Sequence, residues 1–203
     1  MRLQESAFRS GSGKQDGKTG TAIGPVFDAL SCHLTNKKHL GVHSPLFTDS
    51  LMDLVRSGAV TNRYKGIYRG RSITSHALGT HKLFEWLDHN PLVVFQGIDK
   101  VYNPVLIGEN PRFIAILPAR KIDLSGNIAL HVGKGNVATG PTEVMDLFDG
   151  ARISPGGKCI FALSSRNMKN ESNFHLTLEG FPNRFNMRES VDMVVTEYGI
   201  ASL

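Results

Sequence analysis

The chain has 203 residues, 40% of them hydrophobic and 20% charged, and carries a formal net charge of +5, the balance of an ordinary soluble globular protein large enough to bury a core. No stretch approaches the roughly 20 apolar residues a membrane-spanning helix needs, and no apolar run near the N-terminus could serve as a signal peptide. Two cysteines, Cys32 and Cys159, are too few for a disulfide framework and lack metal-ligand spacing, so a cytoplasmic, reduced protein is the default.

In chain order, residues 1–21 carry no apolar pattern and are expected to be flexible or irregular, with RSGSGKQDGKTG at 9–20 a loop. Within it GSGKQDGKTG lacks both the spacing of a phosphate loop and a preceding hydrophobic strand. From Gly24 the pattern becomes regular. Pro25 suits a first helical position, and Val26, Phe27, Ala29, Leu30 and Leu34 form a helical apolar face. HLGVHS reads as a short extended segment. Thr48 or Asp49 can then cap a helix with Leu51, Met52, Leu54 and Val55 inward, stopped by Gly58.

The densest basic run, NRYKGIYRGR at 62–71, interleaves Tyr64 and Tyr68 with four cations. That composition could suit nucleic acid. With no motif of a nucleic-acid fold around it, the simpler reading is a solvated loop or strand edge, whose charge could also attract an anionic small molecule. A second helix is predicted from about Leu78 to Leu87, with Leu83, Phe84, Trp86 and Leu87 inward, ending before Pro91.

Four apolar runs, PLVVF at 91–95, FIAIL at 113–117, KCIFAL at 158–163 and VDMVV at 191–195, predict buried strands. KIDLSGNIALHV predicts a hairpin turning at Ser125-Gly126, and TEVMDLF a short helix after Pro141. Near-continuous apolar strands mixed with helices indicate an α/β fold whose sheet is covered on both faces. The last phrase, EYGIASL, brings no helix to close the final strand, and the whole reads as a piece of a longer protein.

Side chains that could carry chemistry are few. His43 and Ser44 are adjacent in an extended segment, so they point to opposite faces and do not make a nucleophile and base pair. A structural His43 with Ser44 as a polar turn residue is the preferred reading. The eight histidines show neither H-x-x-x-H nor H-E-x-x-H spacing, so no metal site is expected. Cys159, inside an apolar run, reads as a core thiol, and Gly156-Gly157 as the turn before it.

Taken together and in order, the phrases LGVHSPLFTDSLMDLVRSGAVTN, LFEWLDHNP, KIDLSGNI, DGARISPGGKCIFALSS and VVTEYGIASL resemble the acetyl-CoA hydrolase/transferase group of the family I coenzyme A transferases, which includes 4-hydroxybutyrate and acetate CoA-transferases. The resemblance covers residues 22–203, the C-terminal half of a family about twice this length. It implies an open, layered α/β/α domain with a mixed sheet, truncated at both ends, and an N-terminal half in the same or another chain. It also implies acyl-CoA and a small carboxylate as substrates, coenzyme A as cosubstrate without a tightly bound cofactor, and a homo-oligomer; a membrane or nucleic-acid partner is disfavoured. In the family mechanism a glutamate attacks the thioester, and a glycine-rich loop supplies backbone N–H groups to the oxyanion.

The sequence departs from that pattern twice. Where the family phrase resembles LGIH-[ST]-E-M, this chain reads LGVHSPLF, so Pro45 stands at the position of the attacking glutamate. Where the family reads like YSGVGGQVDF, this chain reads ATGPTEVMDLF: Gly140 remains, but Pro141 has no N–H, and losing one oxyanion donor typically costs about 3 kcal/mol. The resemblance assigns His43, Ser44, Thr139 and Gly140 to substrate and coenzyme A binding. Glu143 is a possible substitute carboxylate, with Glu109 a second; the simpler reading of Glu143 is a first-turn helix acid favoured by the macrodipole. Asp49 and Asp53 read in the same way as cap and surface residues of one helix.

Overall fold

Three of the four apolar runs become neighbouring strands of one sheet. In the computed structural model, which describes residues 2–5, 30–130, 142–181, 184–186 and 188–203, residues 30–34 are helical and the first half is rich in short elements. These are β1 (Arg2–Glu5), β2 (Leu46–Phe47), α1 (Asp49–Arg56), β3 (Ser72–Thr74), β4 (His76–Ala77), α2 (His81–Leu87), β5 (Val93–Phe95), α3 (Ile98–Val101) and α4 (Pro104–Gly108). Then come β6 (Phe113–Pro118), β7 (Lys121–Asp123), β8 (Asn127–Ala129), α5 (Thr142–Ile153), β9 (Lys158–Ala162), β10 (Phe174–His175) and β11 (Arg184–Asn186). A 3₁₀ turn (Arg188–Ser190), β12 (Met193–Thr196) and β13 (Gly199–Ser202) complete the order.

The main sheet has the order β1-β6-β9-β12-β13. Its first four strands are parallel and β13 returns antiparallel, so the sheet is mixed. Parallel neighbours need a crossover between them, and α5 supplies the one from β6 to β9. Its Val144, Leu147, Phe148 and Ala151 bury against Phe113, Ala115, Leu117, Cys159 and Phe161 of the sheet. On the opposite face Ile116 packs on a second cluster that includes Leu40, Val42, Phe47, Leu51, Met52, Leu54 and Leu83. The sheet thus lies between two layers, the α/β architecture expected. A smaller sheet has the order β10-β7-β8-β11, and β2–β4 and β3–β5 form two short parallel pairs.

Several local expectations hold for identifiable reasons. Gly58 ends α1 at φ 75°, a conformation that costs glycine nothing. The β7–β8 hairpin turns at Ser125-Gly126, where Asp123 Oδ1 accepts the N–H groups of Ser125 and Asn127. Cys159 is fully buried, and burial together with the Asp192 carboxylate pushes its thiol pKa up to about 12. A Cβ on Gly157 would stand 1.9 Å from the Ala151 carbonyl oxygen, so only glycine lets β9 start directly beneath the end of α5.

Other expectations are corrected. Helix α2 begins at His81, not near Leu78, because the Leu78 N–H donates to the Phe47 carbonyl beside β2. From that start Leu83, Trp86 and Leu87 share the inward face, while Phe84, one residue on from Leu83, is turned out and 49% exposed. Neither Thr48 nor Asp49 caps α1 with its side chain; the Asp49 carboxylate instead accepts from Thr80 N (2.9 Å) and Thr80 Oγ1 (2.6 Å), tying α1 to the start of α2. Strand β6 alternates buried and half-buried residues instead of being uniformly buried. Helix α5 runs on through DGARI to twelve residues. Within 1–21, expected to be irregular, Arg2–Glu5 form an edge strand, and the remainder, with the expected helix start at Pro25, lies outside the described residues.

Candidate functional site

The segment preceding and containing Pro45 is held by a ladder of backbone bonds. Leu40 N donates to Ala59 O, Ile73 N to Val42 O (3.2 Å) and Ser44 N to Ile73 O (3.0 Å). Pro45 has no N–H to offer a neighbour, but its carbonyl accepts twice, from Ser75 N (3.2 Å) and His76 N (2.9 Å). It is buried, and the chain continues directly into β2.

Two side chains of the basic run complete the ladder. Asn62, at φ 53° and 2% exposed, accepts the Val42 N–H on Oδ1 (2.8 Å) and donates from Nδ2 to Ser72 Oγ (3.1 Å). Lys65 is 1% exposed, and its Nζ donates to the carbonyls of Val42 (2.7 Å) and Arg71 (2.9 Å). The run 62–71 is therefore not uniformly solvated. Its central lysine is an internal clamp on the His43 segment, although Tyr64 remains half exposed. Nothing in the local sequence distinguishes Lys65 from a surface lysine; the carbonyl that buries it lies 23 residues earlier.

His43 and Ser44 are both fully buried and do not meet, as their adjacency in an extended segment implies. Ser44 Oγ donates to Leu46 O (2.9 Å), so its hydroxyl is committed to the backbone. His43 Nε2 lies 2.8 Å from Val101 O. A carbonyl only accepts, which assigns the proton to Nε2 and leaves Nδ1 as a bare acceptor. Burial, and then the Lys65 charge, lower the His43 pKa to about 3. Its ring stands edge-on to Phe113, with centroids 6.2 Å apart.

This has a pH signature. Below an unfolded pKa near 6.5 the unfolded chain takes a proton on His43 that the folded chain refuses until about pH 3, so acidification costs stability. At pH 5 the loss relative to pH 7.5 should be about 2 kcal/mol. Asp123 and Asp192, whose hydrogen bonds hold their pKa values low, stay ionised there and contribute no comparable loss. Urea unfolding at the two pH values measures it, and imidazole resonances of His43 that titrate between pH 8 and 5 would contradict it.

Buried polar atoms without a partner concentrate in this region. Of the four among the described residues, His43 Nδ1, Thr48 Oγ1 and Ser75 Oγ lie on the two chain segments paired around Pro45, and the fourth is Asn110 Oδ1. Such groups are rare in folded proteins and are accounted for by a bound water, a ligand or strain. Of the other residues singled out in the sequence, Glu143 falls in the first turn of α5, whereas Thr139 and Gly140 lie outside the described residues. Glu109 is exposed at the end of α4. No group of three or more His, Cys, Asp or Glu among the described residues could hold a metal ion, and no helix among them is long and apolar enough to cross a membrane.

Comparison with known proteins adds the following. Residues 79–203 match the acetyl-CoA hydrolase/transferase C-terminal domain family. The chain is 39% identical over 194 residues to a succinyl-CoA:acetate/propanoyl-CoA:succinate CoA transferase of Fasciola hepatica, covering 93% of this chain and 40% of the relative. It is 34% identical over 191 residues to a 4-hydroxybutyrate coenzyme A transferase of Clostridium kluyveri, covering 93% and 44%. Among solved structures, a 4-hydroxybutyrate CoA-transferase from Porphyromonas gingivalis superposes with a TM-score of 0.78 at 29% identity, over 100% of this chain and 43% of that one. The chain spans about two-fifths of the length of the curated relatives it matches.

Proposed function

The chain belongs to the acetyl-CoA hydrolase/transferase C-terminal domain family, and from that premise we propose that it is the C-terminal half of a coenzyme A transferase or acyl-CoA hydrolase acting on a short acyl-CoA thioester. Coenzyme A is the cosubstrate, a small carboxylate the acyl acceptor, and an N-terminal half, in the same or another chain, completes the site within a homo-oligomer. The setting is cytoplasmic, with no tightly bound cofactor. Burial of Lys65 takes the central cation out of the basic run and weakens a nucleic-acid reading.

The observation that carries this reading is the set of unpartnered buried polar atoms on the segments paired around Pro45. On the resemblance of LGVHSPLF to the family phrase, Pro45 stands at the position of the attacking glutamate. His43 offers an acceptor nitrogen to the ligand side, and Ser44 contributes position, since its hydroxyl is engaged. Thr139 and Gly140 supply the loop that would face the oxyanion. Proline has no nucleophile, so a covalent glutamyl route does not start at residue 45. The alternative chemistry is attack by water, with the carboxylate of Glu143 as general base.

A second reading, a coenzyme A-binding homologue without catalysis, is favoured by the commitment of Pro45 itself, buried with its carbonyl accepting twice. The full-length protein, incubated with acetyl-CoA and labelled acetate and then treated with borohydride or hydroxylamine, separates the possibilities. Acetate release without label exchange or an adduct is the expected hydrolase outcome. An adduct on a glutamate would place transfer chemistry at a new position, and binding without turnover would leave the non-catalytic homologue.

A further inference from the structure

Lys121 of β7 and His175 of β10 meet on neighbouring parallel strands of the small sheet, where His175 is in register with Asp123. Lys121 Nζ lies 2.9 Å from His175 Nε2 and 4.7 Å from the centroid of the Phe181 ring. The His175 and Phe181 rings are 5.4 Å apart and tilted by 58°. An ammonium only donates, so Nε2 accepts and the imidazole proton sits on Nδ1. Three segments of chain thus hold an ammonium and an imidazole in one fixed geometry, with all three residues half-buried.

The arrangement is unusual in what accompanies it. The ion pairs among the described residues are His81–Glu85, His89–Asp88, Arg152–Asp149 and Lys158–Asp192, so no described acid pairs with either Lys121 or His175. With the imidazole neutral, the ammonium spends one of its three N–H groups on Nε2 and keeps the others for a ligand, and Nδ1–H is a further donor. An anion beside the pair accepts charge-assisted hydrogen bonds from the ammonium's remaining N–H groups and from the imidazole Nδ1–H. Phe181 fixes the lysine by a cation–π contact and lowers the ordering cost of binding.

We propose that Lys121, His175 and Phe181 form a binding site for a phosphate group. Phosphate offers more acceptor oxygens than a carboxylate, and lysine engages it as a point charge. The source is either the phosphates of coenzyme A, which rests on the function proposed above, or free phosphate. The strand paired with β7 is β8, which leads directly towards residues 131–141, the loop assigned there to the acyl end of the ligand.

Calorimetric titration of the full-length protein with coenzyme A, dephospho-coenzyme A and inorganic phosphate tests it. Lys121→Gln should weaken phosphate-dependent binding about tenfold, the loss of one charge-assisted bond. His175→Gln should do the same, and Lys121→Arg should restore most of the affinity while a merely structural role for the amine would not be rescued. Coenzyme A binding that depends on Lys121 and weakens on loss of the 3′-phosphate identifies coenzyme A as the source. Inorganic phosphate binding that depends on Lys121 without any coenzyme A binding supports the site and overturns the coenzyme A reading. Binding of every ligand unchanged in both glutamine variants, or no phosphate-dependent binding at all, overturns the proposal.

Discussion

Gly66→Ala should destabilise the fold by about 3 kcal/mol, the upper range for overpacking, and loosen the segment that carries His43 to Pro45. A Cβ on Gly66 would lie 1.7 Å from the Glu109 carbonyl oxygen and 2.7 Å from its carbon. Both atoms are backbone, so no rotamer change relieves the clash and the two loops must part. The loop that moves begins with Asn62 and Lys65, whose side chains hold Val42 by its N–H and its carbonyl. Gly70→Ala is the control: Gly70 sits at φ 76° with nothing within 4 Å of its would-be Cβ, so its cost is conformational, about 1 kcal/mol. Urea unfolding of both variants measures the difference. Hydrogen exchange at the Val42 and Ser44 amides should accelerate only in Gly66→Ala. Equal stability losses would show that the contact at Glu109 does not govern the clamp.

The Gly66 contact illustrates what the sequence does and does not disclose. Elements set by local rules were legible: α1 from its apolar spacing and Gly58, the β7–β8 hairpin from Asp123 and Gly126, and the three long strands of the main sheet from their apolar runs. Elements decided by a distant partner were not. Lys65 is buried because a carbonyl 23 residues away accepts a hydrogen bond from its ammonium, and Asp49 leaves its own helix for Thr80, 31 residues on. Strands β2 to β4 are two or three residues long, too short for period-two alternation to register, whereas β5 is expected from the run PLVVF. The start of α2 moved because a strand pairing with β2 claimed the residues ahead of it. At the candidate site, Pro45 could be singled out only through resemblance to a family phrase. His43 was read as structural, and its commitment to Val101 agrees, yet its bare Nδ1 was invisible until the tertiary contact fixed the proton on Nε2. The Lys121–His175 pair joins residues 54 apart and has no sequence signature at all.

Pro45→Glu should convert a chain that forms no acyl adduct at residue 45 into one that does. The backbone there is prepared for the change, since the carbonyl bonds from Ser75 and His76 do not involve the side chain and survive it. A carboxylate at this buried position is costly to ionise, and on desolvation alone the substitution should lose about 2 kcal/mol of stability, read by urea unfolding. Two features offset part of that cost. The buried Lys65 ammonium lies on the same segment, with Nζ on the Val42 carbonyl, and the Ser75 hydroxyl is buried without a partner and can donate. On the function proposed above, the full-length variant given acetyl-CoA should yield a hydroxylamine-sensitive adduct at position 45 and should exchange labelled acetate faster than the parent. On the same proposal, with the loop at Thr139 and Gly140 facing the oxyanion, the exchange should run about a hundredfold below that of a relative with an intact glycine loop, since proline at 141 has no N–H and a lost oxyanion donor costs about 3 kcal/mol. Adding Pro141→Gly should recover a large part of the deficit, a dependence that a simple nucleophile swap would not show. If the variant folds, binds acetyl-CoA and forms no adduct, residue 45 is not where the thioester meets the chain, and the chemistry belongs to a carboxylate elsewhere.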